Sequence, residues 1–247
     1  MKLSIVIPVY NEERTVLDVI KAVDAVKIAD SSAGGGQIKK EIIVVNDAST
    51  DSTKEILKKL EIIYKDLIVV THPRNKGKGA AVRTGFSKAT GEYIVIQDAD
   101  LEYDPEYFKL LLTPILDGKT EVVYGTRLKQ IPSLDGHGTM SKTRFLLHFF
   151  GNRFLSLVTS ILYLQWITDM ETCYKIFPRK FLSTTTLIGN GFNFEPEITA
   201  KLIKSGYHIL EVPITTKPRG YDEGKKLQTF PEGIEAIKTL FRYRFKK

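Results

Sequence analysis

Tyr93-Ile94-Val95-Ile96-Gln97-Asp98-Ala99-Asp100-Leu101-Glu102 decides how this chain folds. Four apolar, mostly β-branched residues read as a short buried strand, and two carboxylates one residue apart follow it. Asp-x-Asp at such a strand exit suits a hard divalent cation, which takes oxygen ligands and often shares them with phosphate groups. The pair also fits a plain polar strand exit or the cap of a helix beginning near Pro105. Neighbouring segments weigh between these readings.

Working outward, short apolar runs recur at Leu3–Ile7, Glu41–Val45, Leu67–Val70 and Glu121–Tyr124. Amphipathic stretches lie between them at Glu12–Ile28, Ser52–Tyr64, Ala80–Ala89 and Pro105–Leu116. This alternation predicts an α/β fold with a mostly parallel central sheet flanked by helices. Ligands of such sheets bind outside the carboxyl ends of the strands. Asn11-Glu12-Glu13, Asn46-Asp47-Ala48-Ser49 and Asp98-Ala99-Asp100 all fall at strand ends, so three polar motifs converge on one crevice. Ala33–Gly36 reads as an exposed loop without chemistry. A change of character near Ser141 divides the chain into a core, 1–140, and a second part, 141–247, of the same domain.

The 247 residues carry 43% hydrophobic and 26% charged side chains, ordinary globular composition that excludes a disordered chain. A net charge of +7 points to an anionic partner: phosphate-bearing ligands, an anionic membrane surface or nucleic acid. Cys173 is the single cysteine, which rules out an intramolecular disulfide and fits a reducing compartment. The apolar start ends at Pro8, too soon for a signal peptide, and no run approaches the ~20 apolar residues of a bilayer span. The turn after the first strand, Pro8–Glu13, contains no glycine, which disfavours a dinucleotide-binding fold and a sugar nucleotidyltransferase. No phosphate-binding G-x-x-x-x-G-K-[ST] loop occurs either.

Ser4–Glu13, Val44–Thr53, Asn75–Gly85 and the Asp98/Asp100 pair, in that order, resemble the motifs of glycosyltransferase family 2. The resemblance implies the GT-A fold, with Pro8, Tyr10, Glu12 and Asp47 around the base and ribose and Lys78 near the nucleotide. It also implies Mg²⁺ or Mn²⁺ on Asp98 and Asp100, with Glu102 as a further metal contact or a solvated side chain. Carboxylates do hydrogen-bond ribose and base edges, and a cation neutralises a diphosphate leaving group. Glu12 also reads as first-turn helix stabilisation, Asp47 as a turn former and Asp51 as a helix cap.

Gly125–Leu128, Asp169–Lys175, Gly206–Ile214, Pro218–Gly220 and Glu223–Lys226 resemble the dolichyl- and polyprenyl-phosphate sugar synthase branch of that family. The branch implies transfer of a hexose, with inversion, from a GDP-mannose or UDP-glucose type donor to a lipid phosphate. Arg127, Arg144, Arg219 and Lys226 match positions where it gathers phosphate-binding cations, and guanidinium pairs well with phosphate oxygens. Asp100 and Arg127 are the expected catalytic groups, together with Asp169, which would position sugar or acceptor and act as a base only toward a hydroxyl. Glu195 and Glu197 either reach the sugar or begin a helix.

Lys142–Trp166 adds a reading from the residues themselves. Arg144, His148, Asn152 and Ser156 fall four apart on one polar stripe, while phenylalanines and leucines cover most of the remainder. The segment predicts a basic, aromatic-rich amphipathic helix pair, broken near Gly151-Asn152, lying in a membrane interface. Core helices or a dimer interface fit the same pattern. Glu232–Lys247 ends in basic residues interleaved with aromatics, a pattern that serves RNA but is met more economically by an anionic leaflet. Many members of the branch continue into transmembrane helices at this point. Here the expectation is no nucleic acid and peripheral association with the cytoplasmic face of a membrane, directly or through a membrane partner subunit. Transfer to a sugar hydroxyl of a polysaccharide, and a non-catalytic nucleotide-sugar-binding module, are the alternatives.

Overall fold

The computed structural model describes residues 1–30, 36–127, 142–217 and 229–246. Its main sheet begins with β1 (Lys2–Val9), β4 (Lys39–Asn46), β5 (Leu67–Thr71) and β6 (Tyr93–Ile96), which lie parallel in the order β5-β4-β1-β6. Between β1 and β4, the two-residue strands β2 (Ala29–Asp30) and β3 (Gly36–Gln37) pair with each other. The centre of β1 is buried without alternation, as expected of a strand covered on both faces. Edge strand β5 is buried fully only at Leu67.

Beyond β6 the sheet continues with β8 (Lys175–Pro178), β7 (Val122–Thr126) and β9 (Ile209–Pro213). β8 runs antiparallel to both β6 and β7, while β9 is parallel to β7. Strands from both sides of residue 141 thus share one sheet. Neither β8 nor β9 stands out from the sequence, because each is a short apolar run beside charged residues.

Helices α1 (Val16–Ala25), α2 (Thr53–Ile63), α3 (Lys78–Lys88) and α4 (Tyr107–Leu116) occupy the four predicted connections. α1 starts later than its amphipathic pattern because residues 12–15 form a turn, with Thr15 N–H and Val16 N–H both donating to the Glu12 carbonyl. α3 starts two residues earlier than expected, directly after Gly77 at φ 91°, and so places Lys78 in its first turn.

The second half supplies α5 (Lys142–Tyr163), the short α6 (Phe181–Thr184), α7 (Phe194–Lys204) and α8 (Thr229–Phe245). α5 is one continuous helix of 22 residues, which corrects the expected pair broken at Gly151-Asn152. A glycine inside a helix costs only about 1 kcal/mol, and burial of Leu155, Thr159 and Tyr163 outweighs that. α8 packs alongside α5, where the Tyr163 hydroxyl donates to the Leu240 carbonyl.

Candidate active site

A cleft of about 500 Å³ opens at the carboxyl ends of β1, β4 and β6 and is walled on its far side by α5. The three loops share a feature: Asn11, Ala48 and Leu101 all take positive φ, at 53°, 60° and 60°. Left-handed backbone at alanine and leucine is strained, and such strain persists where surrounding contacts over-determine the loop. Those contacts are visible. Asn11 N–H donates to Ser49 Oγ at 2.9 Å, Thr50 N–H to Asn11 Oδ1 at 2.8 Å, and Glu12 N–H to Thr53 Oγ1 at 3.0 Å. Asp51 accepts from Thr53 N–H and Glu13 N–H, so it both caps the start of α2 and ties two loops together. Those bonds hold its carboxyl below the usual range although burial opposes them.

Pro8, Tyr10 and Glu12 line the cleft. Asp47 lines it too, but its buried carboxylate is engaged from within the protein: it meets His72 Nδ1 at 2.6 Å and accepts Lys76 N–H and Gly77 N–H at 2.9 and 2.7 Å. Its visible work is to shape the turn that delivers Lys78. Lys78 Nζ lies 2.7 Å from Asp98 Oδ1. Burial opposes both charges, but their attraction prevails, lowering the carboxyl pKa and raising that of the ammonium.

Asp98, Asp100 and Glu102 all reach the cleft. The expected three-carboxylate shell is not assembled, because among the described residues no three acidic, histidine or cysteine side chains gather closely enough to hold a metal. Asp100 Oδ1 instead accepts Glu102 N–H at 3.1 Å, so Glu102 folds against its neighbour through the backbone. Two carboxylates still fit Mg²⁺ or Mn²⁺, because such ions commonly bind through one or two carboxylates and complete their shell with substrate phosphates and water.

Across the cleft, Arg127 Nε and one terminal nitrogen grip both oxygens of Asp169 at 2.8 Å, and Arg127 N–H adds a third bond at 2.9 Å. The guanidinium also lies 5.7 Å from the Tyr103 ring centroid. Asp169 is fully buried, absent from the cleft lining, and accepts Arg127 while its own N–H donates to Glu211. This corrects the expectation that Asp169 itself meets sugar or acceptor: the geometry makes it the mount of Arg127. Arg219 and Lys226 lie outside the described residues, as does the side chain of Arg144.

Several cleft residues escaped sequence reading. His148 and Asn152 of α5 turn inward, so the middle of the polar stripe faces the cleft, while Ser156 further along it is buried and bonds Met170 N–H. The four-residue spacing was legible, but the face it meets was not. Tyr103, Cys173 and Phe192 also line the cleft, none of them singled out as a site residue from the sequence. Glu171 lines it with a buried Oε1 that has no hydrogen-bond partner among the described residues. Burial and then the Glu195 charge push its carboxyl up to about 8, against the pull of Lys175 and Arg127. Glu195 reaches the cleft, whereas Glu197 does not: it accepts Ile188 N–H, Gly189 N–H and the Tyr243 hydroxyl.

The chain is 30% identical over 246 residues to the low-salt glycan biosynthesis hexosyltransferase Agl6 of Haloferax volcanii, covering 96% of this chain but 52% of that one. The chain therefore spans about half of that relative's length. A UDP-N-acetylglucosamine–dolichyl-phosphate N-acetylglucosaminyltransferase of Methanococcus voltae is 28% identical over 229 residues, covering 86% of this chain and 84% of its own. Among solved structures, glucosyl-3-phosphoglycerate synthase of Mycobacterium tuberculosis, crystallised with Mn²⁺, UDP and phosphoglyceric acid, superposes with a TM-score of 0.67. It shares 20% identity over 99% of this chain and 78% of its own, a likeness of GT-A fold. The profile of glycosyl transferase family 2 matches residues 4–184, which takes in every strand end that shapes the cleft. On that match, and on the fold that carries it, the chain belongs to glycosyl transferase family 2.

Proposed function

We propose that this glycosyltransferase moves a hexosyl group, with inversion, from a nucleotide diphosphate sugar to a polyprenyl phosphate at a membrane surface. The observation that carries the reading is the two-sided character of α5. Its inner face brings His148 and Asn152 to the cleft, while Leu147, Phe150, Phe154, Leu157 and Ile161 on its outer face are exposed, Phe150 and Ile161 by more than 60%. Leu164 and Trp166 extend the exposed stripe past the end of the helix. An apolar stripe about 30 Å long is costly against water and stable in the headgroup boundary of a bilayer. Exposed Arg153, Lys238, Arg242 and Arg244 complement an anionic leaflet. No described helix is long and apolar enough to cross a membrane. Peripheral docking on the cytoplasmic face, directly or beside a membrane partner subunit, suits this surface. The Methanococcus relative's dolichyl-phosphate acceptor, given in its name, supports the same substrate class.

Pro8, Tyr10 and Glu12 bind and orient the nucleoside, Asp47 supports that site by shaping the turn that delivers Lys78, and Lys78 with Asp98 and Asp100 receives the diphosphate end. Mg²⁺ or Mn²⁺ bound by Asp98 and Asp100 would stabilise the negative charge of the departing diphosphate. Arg127, fixed by Asp169, holds the acceptor phosphate so that one of its oxygens faces the anomeric carbon. Arg144, Arg219 and Lys226 add cationic charge to the same phosphate. The new bond joins that oxygen to the anomeric carbon, and the old carbon–oxygen bond breaks with its electron pair passing to the nucleotide diphosphate. A phosphate is already ionised at neutral pH, so orientation and charge compensation supply most of the rate.

A panel of GDP- and UDP-hexoses, incubated with short-chain polyprenyl phosphate and Mg²⁺ or Mn²⁺, tests the reading. Label extracted into chloroform is the expected result. Label transferred to a sugar hydroxyl and left in the aqueous phase would replace the acceptor assignment, and no transfer from any donor would point to a non-catalytic module.

A further inference from the structure

Lys78 sits between two carboxylates of unequal standing. Its Nζ is 2.7 Å from Asp98 Oδ1 and 3.6 Å from Glu195 Oε1, and all three residues line the cleft. Glu195 Oε1 is buried and accepts no hydrogen bond among the described residues, while Lys175, itself fully buried, holds Oε2 at 2.5 Å. Lys175 also contacts the Tyr124 ring face, 5.0 Å from its centroid, so it anchors Glu195 from behind. The Glu195 carboxylate is thus pinned by one oxygen and presents the other, unsatisfied, toward Lys78.

The backbone holds this arrangement as a unit. Ala80 N–H donates to the Asn190 carbonyl at 3.2 Å, and Arg83 reaches Gly189 O and Asn190 Oδ1. A Cβ at Gly77 would meet Asn190 O at 2.5 Å, and one at Gly79 would meet Gly189 O. The start of α3 is therefore docked closely on the loop that leads into α7, which carries Glu195. Closing 3.6 Å to a hydrogen bond of ~2.8 Å needs a movement of roughly 1 Å, within reach of a lysine side chain on a fixed backbone.

We propose that Glu195 is a positioning residue that takes Lys78 over from Asp98 when a divalent cation binds there, keeping the ammonium in the cleft beside the donor diphosphate. The proposal rests on the assignment of the cation to Asp98 and Asp100. An ammonium and a divalent cation on one carboxylate oxygen repel each other strongly, so each must displace or redirect the other. Without a receiving anion, Lys78 would hold Asp98 against the cation. With Glu195 in place, the lysine moves aside and a buried acceptor gains its missing partner.

Mn²⁺ binding to the full chain, followed by electron paramagnetic resonance of free Mn²⁺, tests this without turnover. Lys78→Met is expected to tighten Mn²⁺ about tenfold by removing the competitor, and Glu195→Gln to weaken it about tenfold by removing the receiver. The decisive measurement is the double variant. Glu195→Gln in the Lys78→Met background should leave affinity unchanged, whereas a general charge or structural role would weaken it equally in both backgrounds and overturn the proposal. If Glu195→Gln fails to fold, Lys78→Met alone decides, because it keeps the Lys175–Glu195 pair: tighter binding supports the takeover, and unchanged binding ends it. Mn²⁺ bound equally by wild type and Asp98→Asn would sink the metal assignment and the proposal together. Loss of Mn²⁺ in Asp98→Asn with no response to Lys78→Met would overturn the proposal alone.

Discussion

The two walls of the cleft are built by different means. The wall proposed for the donor consists of three strand-end loops with left-handed backbone at Asn11, Ala48 and Leu101, laced together by hydrogen bonds such as Asn11 to Ser49 and Glu12 to Thr53. The wall proposed for the acceptor has two described supports: the Arg127 guanidinium clamped by a buried carboxylate, and a helix with His148 and Asn152 inward and an apolar face outward. Rigid loops suit a small donor that must be held in one pose, and a two-faced helix suits an acceptor that arrives from a surface. The contrast teaches that changes on the donor wall should act on the chemical step, and changes on the acceptor wall on delivery.

Asp100→Ala should break the donor wall most severely. Initial rates of labelled transfer are expected to fall about 10³-fold with little loss of Tm, because the side chain lines the cleft without supporting the core. An unchanged rate would remove Asp100 from the chemistry.

Asp169→Asn comes next. It leaves Arg127 half-mounted, since the asparagine amide cannot accept both guanidinium bonds. Breaking a buried pair costs about 3 kcal/mol, so transfer should drop roughly 100-fold and Tm by several degrees, while Mn²⁺ affinity stays constant. A loss of metal binding instead would erase the distinction between the walls.

A double change on the outer face of α5, Phe150→Asp with Phe154→Asp, should lower flotation with anionic vesicles about tenfold. Turnover of a water-soluble short-chain acceptor should stay near wild type, because both side chains point away from the cleft and are more than half exposed. Equal loss with both acceptors would mean that α5 supports the fold rather than delivery.

The smallest effect concerns Glu171, whose carboxyl is pushed up to about 8 by burial and the nearby Glu195 charge. A carboxyl raised above its unfolded value of about 4.3 binds more protons folded than unfolded between those pH values. Its contribution is therefore present at low pH and lost as pH rises toward 8. Tm of the ligand-free protein should decline across that window, and the decline should be shallower in Glu171→Gln. Parallel Tm curves would show that Glu171 does not titrate there.

What could be read in advance differs along the chain. The strands at Leu3, Glu41, Leu67, Tyr93 and Glu121 announce themselves as dense apolar runs between turn residues, and the four helices between them follow from periodicity. β8 and β9 do not, because a buried lysine and a half-buried glutamate, Lys175 and Glu211, interrupt the apolar signal. Both charges are tolerated through partners from elsewhere in the chain: Glu195 for Lys175, and the N–H groups of Thr168 and Asp169 for Glu211. Gly151 looked like a break and is not one, since packing against α8 outweighs its local penalty. The stripe of His148 and Asn152 was legible as a stripe, but its direction depended on where the sheet put the cleft.

The sequence by itself determined the α/β alternation, the polar strand ends and the Asp-x-Asp pair, because apolar periodicity and short motifs are local properties. The tertiary structure decided that Asp169 mounts Arg127, that Asp47 shapes a turn, and that Lys78 stands between Asp98 and Glu195. Each of those roles depends on which charge lies within a few ångströms of which other, and such distances between remote residues exist only once the sheet has brought the loops together.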